Sequence, residues 1–436
     1  MRTLSLIVVV LMLSGTVSAQ SRVLGLDEAL SLSREHHPAL RRARAEREVA
    51  EGRRHEVRAG YLPQLLASAS YQRTTANFVF RPGAVPAQLA QNRPEPSLDT
   101  FNFFSFGATA TQLLYDFGQT QGRLRESREQ ERAQESVERT RMLDTELGVA
   151  LGFFNARAAK AMLGVAREAL DNRERHFARV TAFVELGARP EIDLARLRTE
   201  LANARVQALT AENSYAIARE ALNQAMGIEG KSDYDVADDS LPRLPEEGLA
   251  EDALLELAWQ RRPEVSVMEA LLRAQEHTLS SVRGEYGPTV SAASTIQEAG
   301  PSRDRLTWNW NVGVSASWPI VSGGATRARV QQAEARLVAL SAERDSLRQQ
   351  IRLELTRARL LLAAQVEVVK AALIAVESAR VTLSLAEGRY EAGVGNIIEL
   401  DDAQLRLTEA EAQHVRAEYD LSAARAAFRR ALGSET

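Results

Sequence analysis

The sequence predicts a mainly α protein with a smaller β part directed at a membrane, built from one unit used twice. Three observations predict it. The chain opens on an export signal and contains no cysteine, a set of landmarks recurs at fixed offsets, and two proline-free stretches of about 68 residues alternate with short runs of strand periodicity.

Arg2 precedes an apolar run over 4–13, and Ser14-Gly15-Thr16-Val17-Ser18-Ala19-Gln20 follows. This is the charged, apolar and small-residue order of a secretory signal, with 1–19 removed after Ala19. The run is too short to span a bilayer. Among 436 residues there is no cysteine, hence no disulfide and no thiol for a lipid anchor at the cleavage point. No later stretch is expected to reach the ~20 apolar residues of a membrane helix. Any crossing therefore falls to strands that close into a barrel. The formal charge of -4, from 54 basic and 58 acidic residues, argues against a nucleic-acid partner. Arginine is interleaved with glutamate, as over 41–48, in the manner of a solvated helix face.

The duplication organises everything after the signal. His37-Pro38 and Tyr61-Leu62-Pro63 recur as Arg262-Pro263 and Tyr286-Gly287-Pro288 at an offset of 225. Tyr115-Asp116-Phe117-Gly118 aligns with Val321-Ser322-Gly323-Gly324, and Leu186-Gly187 with Ala392-Gly393, at an offset of 206. The 19 residues lost lie between Pro63 and Tyr115. The expected organisation is a first repeat over 20–227, a polar linker over 228–248, a second repeat over 249–433 and a tail over 434–436.

Each repeat begins with alanine-, glutamate- and arginine-rich helix broken at its proline, which lacks a donor and keeps the preceding residue extended. The period then changes to two. Strands are predicted at about 65–80, 101–115, 289–298 and 307–319. Phe104, Phe106, Ala108, Ala110 and Leu114 fall on one face, and Trp308, Trp310, Val312, Val314, Ala316 and Trp318 alternate with asparagine, glycine and serine. Two readings fit these residues: the core face of a soluble sandwich, or a lipid-facing surface opposite a wet lumen. Phe104, Phe106, Tyr115, Trp308, Trp310 and Trp318 would serve the second as membrane aromatic anchors. Four strands cannot close a barrel, so their edges need other copies of the chain.

The long helices, over 119–186 and 325–392, would each measure roughly 100 Å at 1.5 Å per residue. Their apolar stripe is rich in alanine, which favours close helix contacts and also fits a coiled-coil rod with no channel. The tips at 187–193 and 393–399 are glycine turns into returning helices. No catalytic constellation, cofactor motif or metal-ligand spacing is legible, and an enzyme is not expected. The six histidines are unpaired in spacing, and no glycine-rich phosphate loop occurs. Glu399, Asp401 and Asp402 form the most notable acidic cluster. Glu399 and Asp402 can share a helix face, and helix capping accounts for such acids equally well. The first repeat has Asp193 and Arg196 there, which could neutralise one another.

The duplicated order of these landmarks resembles the TolC-like outer-membrane factor family, the exit ducts of tripartite efflux pumps and type I secretion systems. Its strongest parts are Leu26-Asp27-Glu28-Ala29-Leu30 through Pro38, the Tyr-x-Pro steps, the Tyr115 and Val321 turns, and the glycines at 187 and 393. The resemblance implies a homotrimer in the cell outer membrane. Four strands per chain would make a 12-stranded β-barrel, and the helices a long periplasmic α-barrel with a mixed belt at its middle. It implies that Gly187, Pro190, Gly393 and Ile397 match the tips that dock a periplasmic adaptor (membrane fusion) protein. Beyond the adaptor would stand an inner-membrane transporter of the RND, MFS or ABC type. It also implies that Glu399 and Asp402 ring the periplasmic aperture, with glutamate at 399 replacing the more familiar aspartate. The alternative on residues alone is a secreted or surface coiled-coil protein without a channel.

Overall fold

A computed structural model describes residues 22–75, 77, 97–186 and 190–434. The signal over 1–19, Gly187, the end of the first predicted strand and most of the proline-rich loop lie outside the described residues. The duplication is visible as equal element lengths. Helix α1 (Leu26–His36) and α5 (Glu251–Arg261) have 11 residues each, α2 (Pro38–Ala59) and α6 (Pro263–Gly284) 22 each. Helix α3 (Gln119–Glu185) and α7 (Ala325–Glu391) have 67 each, α4 (Glu191–Met226) and α8 (Ile397–Leu432) 36 each.

The helix breaks follow from local chemistry. Pro38 and Pro263 open α2 and α6, and the residues before them, His37 and Arg262, are held extended at ψ 125° and 123°. Gly227 and Gly433 end α4 and α8 in the left-handed region, at φ 74° and 75°. A Cβ on Gly227 would stand 2.6 Å from His37 Cα, and one on Gly433 2.8 Å from Arg262 N. Each returning helix therefore ends against the proline break of its own repeat, which is the same contact made twice.

The chain divides into two compact units. The first comprises residues 1–42, 139–262 and 348–436. Its core gathers Leu24, Leu30, Val149, Phe153, Phe154, Leu222, Met226 and Val236, with the two phenylalanine rings edge-on at 5.6 Å. The segment over 228–248, expected as a polar linker, is tied into this core. Strand β1 (Arg22–Leu24) pairs in parallel with β4 (Tyr234–Val236), a 3-10 turn spans Pro245–Gly248, and Arg425 donates to the Leu241 carbonyl at 2.7 Å. Helix α3 also corrects one expectation, because one stretch of it is long and apolar enough to cross a membrane by length and composition. Of its apolar residues, Val149, Ala150, Phe153 and Phe154 are buried in the core, while only a third of the apolar window as a whole is buried.

The second unit comprises residues 43–138 and 263–347. It holds a four-stranded antiparallel sheet in the order β2-β3-β5-β6, with β2 Gln64–Thr75, β3 Thr100–Tyr115, β5 Thr289–Gly300 and β6 Thr307–Ser317. Helices enter and leave at one end of the strands, and the connecting loops lie at the other. The register sorts the side chains. Leu65, Ala67 and Tyr71 share a face with Phe104, Phe106 and Ala108, with Ile296, and with Trp308, Trp310, Val312 and Val314. Ser68, Ser70, Ser105, Gly107, Thr109, Thr295, Asn309, Asn311, Gly313 and Ser315 share the other. A register shift between Leu113 and Tyr115 sets an extra β3 residue opposite Val290. That bulge brings Tyr115 to the apolar face, which straight alternation would have denied it.

Candidate functional site

The sheet is the first functional feature. Trp308, Trp310, Val312 and Val314 are 58–69 % exposed, and Leu65 is 77 % exposed. Each such side chain left in water forgoes about 1.5–3 kcal/mol. The polar face is knitted by small side chains, including Thr109 with Thr295 at 3.1 Å and Ser291 with Ser315 at 3.1 Å. Trp318 lies just past the end of β6, where its indole N–H donates to the Tyr286 carbonyl at 2.9 Å. An apolar face, an opposite face of small hydroxyls and amides, and aromatic side chains toward the strand ends are the parts of a membrane sheet with a wet side.

The second feature is the hairpin end of the helical unit. Pro190 caps the start of α4 in extended backbone, φ −77° and ψ 150°. Gly393 ends α7 at φ 76°, and the amides of Val394 and Gly395 return to the Arg389 carbonyl at 3.1 and 2.8 Å. Asn396 caps α8 by accepting from the Ile398 amide at 3.1 Å. Ile397 is buried against Val180 and Leu197, so it holds the two hairpins together; its neighbours Val394 and Ile398 are the exposed apolar groups.

The acids of this end fall into two classes. Glu399 is half exposed and pairs with Arg389 at 3.1 Å, and Asp402 is exposed and pairs with Arg406 at 2.8 Å. The Asp402 carboxylate, by accepting from Arg406 and by its charge, pushes the guanidinium pKa upward. Asp401, which the spacing argument passed over, is buried and bonded to Arg173 at 2.6 Å, with Arg196 at 3.6 Å. Glu200 accepts from Arg173 at 2.9 Å and from Arg196 at 3.1 Å. The result is a neutral set of two arginines and two carboxylates that joins α3, α4 and α8 beside a cleft of about 450 Å³. Arg196 therefore does not neutralise Asp193; the longer reach toward the next turn and across to α8 gives it two carboxylates. The sequence signal for Asp401 was its place four residues after Ile397, on the buried side of α8.

Among the described residues no group of three or more His, Asp or Glu could hold a metal. A stretched helical hairpin with a charged seam and a sheet with open edges and a bare apolar face together define a membrane-inserted conduit or scaffold. The chain belongs to the outer membrane efflux protein family, whose model matches residues 29–228 and 254–434. It lies in the outer membrane, its long helical part in the periplasm, and serves as an efflux or export channel. The cation efflux system protein CusC of Escherichia coli (strain K12) is 26% identical over 312 residues, covering 70% of this chain and 67% of its own. The outer membrane protein TolC of the same strain is 25% identical over 454 residues, covering 100% of this chain and 87% of its own. A crystal structure of CusC superposes with a TM-score of 0.79 at 22% identity, covering 94% of this chain and 92% of that one.

Proposed function

We propose that three copies of this chain close a single duct, gated at the hairpin ends and fed by a periplasmic adaptor and an inner-membrane transporter. The observation that carries this reading is the sheet, whose edge strands β2 and β6 have no further partner strand among the described residues. All neighbours in β2-β3-β5-β6 are antiparallel, so β2 and β6 run in opposite directions. The β6 edge of one copy can pair antiparallel with the β2 edge of the next, and repetition closes a barrel with no free edge. Two copies would make eight strands, whose interior is filled by side chains; three make twelve and leave a lumen for the small polar face to line.

In the helical unit, Glu399 and Asp402 are exposed and each is held by one arginine of its own chain. Threefold symmetry would converge six carboxylates on the axis, a ring that attracts cations. The tip turns at Pro190 and Gly393, with Ile397 fixing the second, are the surface offered to the adaptor hairpin; Gly187 is assigned to it on sequence alone. The transporter beyond it, of RND, MFS or ABC type, supplies the energy, and passage through the duct is passive. Separating the two hairpins breaks the Asp401 cluster, which makes that cluster the closed-state clasp. The test is bilayer conductance of Glu399→Gln with Asp402→Asn. Loss of cation selectivity is expected, and unchanged selectivity would remove the ring. A detergent-solubilised mass other than three chains would remove the trimer.

A further inference from the structure

At the loop end of the sheet the apolar face carries an aromatic cup with a cation over it. The Tyr71 and Phe104 rings lie 5.0 Å apart, Phe106 continues the row, and the Arg303 guanidinium stands 5.7 Å from the Phe104 ring centre. Tyr71 donates to the Asn102 side-chain oxygen at 3.0 Å. Together these side chains line a cleft of about 560 Å³.

The backbone builds this arrangement. Gly300 pairs with Phe104, so no side chain on β5 covers that flank of the ring. A Cβ at Gly300 would lie 1.9 Å from the Arg305 carbonyl oxygen, so the turn over 301–306 must press against the strand, and this tight turn sets Arg303 above the ring. Among the described residues Arg303 has no carboxylate partner, and the same holds for Arg305. Arg73, on the same face, is satisfied by Thr100 at 2.8 Å. Among the described residues the carboxylates of this end are Asp99 and Asp304 in the loops, and Glu298, which pairs with Phe106 one step further along the sheet.

A guanidinium held over a ring by cation–π attraction still has N–H donors for another group. Its planar fork matches phosphate oxygens. The cup lies on the face that meets lipid and at the end remote from the helices, which in the duct reading is the outer leaflet. We propose that Tyr71, Phe104, Phe106 and Arg303 form a binding site for a phosphate-bearing lipid of that leaflet. Arg303 donates to the phosphate, and the acyl chain lies along the aromatic row. The proposal rests on the outer-membrane placement of the sheet.

The test uses the full-length protein in a neutral detergent, with diphosphoryl lipid A as the probe and native mass spectrometry as the readout. Wild type should retain the lipid, Arg303→Gln should lower the bound fraction by about tenfold, and Arg303→Lys should recover part of it. Inorganic phosphate should not displace the lipid. Equal binding by Arg303→Gln, equal binding of a dephosphorylated lipid A, or displacement by inorganic phosphate would each overturn the site. Arg303 is in an exposed turn, and unchanged heat-dependent migration of the variant checks that the sheet is intact. If wild type does not fractionate with the outer membrane, the duct reading falls and the site with it. If both proteins fractionate there and bind alike, only the lipid site falls.

Discussion

Truncating Asp401 to alanine should loosen the hairpin end far more than truncating its neighbour Asp402. The Asp401 side chain is 8 % exposed and its partner Arg173 is 16 % exposed, at 2.6 Å, so water screens the pair little. Breaking a buried pair costs on the order of 3–5 kcal/mol. Arg173 keeps Glu200 at 2.9 Å and Arg196 keeps it at 3.1 Å, so a loss of about 2–3 kcal/mol is expected. Asp402 and Arg406 are 55 % and 66 % exposed and four residues apart on one helix, a pairing worth about 0.3–0.5 kcal/mol. Amide hydrogen exchange over 390–406 reads the opening directly. Asp401→Ala should speed it roughly 30- to 150-fold at about 1.4 kcal/mol per tenfold, and Asp402→Ala by no more than about twofold. A cycle with Arg173→Ala isolates the pair. Equal effects of the two alanines, or a coupling under about 0.5 kcal/mol, would refute the clasp. In bilayers the same variant should spend more time open.

The sheet and the β1–β4 region give two further expectations. Val312→Arg, at the middle of β6 on the apolar face, should cost about 2–4 kcal/mol in refolding into vesicles, whereas Asn311→Arg on the polar face should cost little; equal costs would put the lumen and the lipid on the wrong sides. Near β4, burial and a hydrogen bond to Asp235 push the Tyr215 hydroxyl up to about 12, so its contribution to stability is full below pH ~10 and is lost as pH rises toward about 12. Burial pushes Asp235 upward as well, but hydrogen bonds from Lys160 and Tyr215 and the Lys160 charge outweigh it and leave its pKa lowered. Its contribution is therefore present above the ordinary carboxylate range and is lost as pH falls through the lowered value. Tyr215→Phe should remove the alkaline loss when unfolding is followed against pH, and an unchanged alkaline limb would count against this assignment.

What the sequence made legible was whatever local chemistry decides. Proline breaks at 38 and 263, glycine ends at 227 and 433, and the alternation over 308–316 are each set within a few residues, and the structure has its breaks, caps and strand there. The contacts it concealed are those that pair distant segments. Arg173 and Asp401 are 228 positions apart, and nothing near either residue announces the other. Ile397 looked like a tip residue because it follows the glycine turn, yet packing against Val180 and Leu197 buries it. The segment over 228–248 is polar in composition because its apolar residues are sparse, while Val236 and Leu241 belong to the buried core. In each case the deciding partner lies on an element whose proximity only the folded chain creates.

The hairpin ends explain why a duplicated chain does not behave as two equal halves. At the 206-residue offset, Arg196 and Glu200 correspond to Asp402 and Arg406, so both repeats keep an ion pair four residues apart with the signs exchanged. The acid-first order on α8 agrees with the helix dipole and is satisfied locally, which leaves Asp402 facing solvent. The base-first order on α4 is the weaker local arrangement, and Arg196 finds a further carboxylate in Asp401, a position whose counterpart in the first repeat is Ala195. Two helices of equal length thus carry different pairings: one hairpin contributes the arginines that hold Asp401 of its neighbour, and the other keeps Glu399 and Asp402 exposed, each paired, among the described residues, only with an arginine of its own hairpin. An exchange of both signs at 196 and 200 would leave each helix with a local pair, yet it would place Glu beside Asp401 and open the seam, an effect that a purely local account of these pairs does not produce.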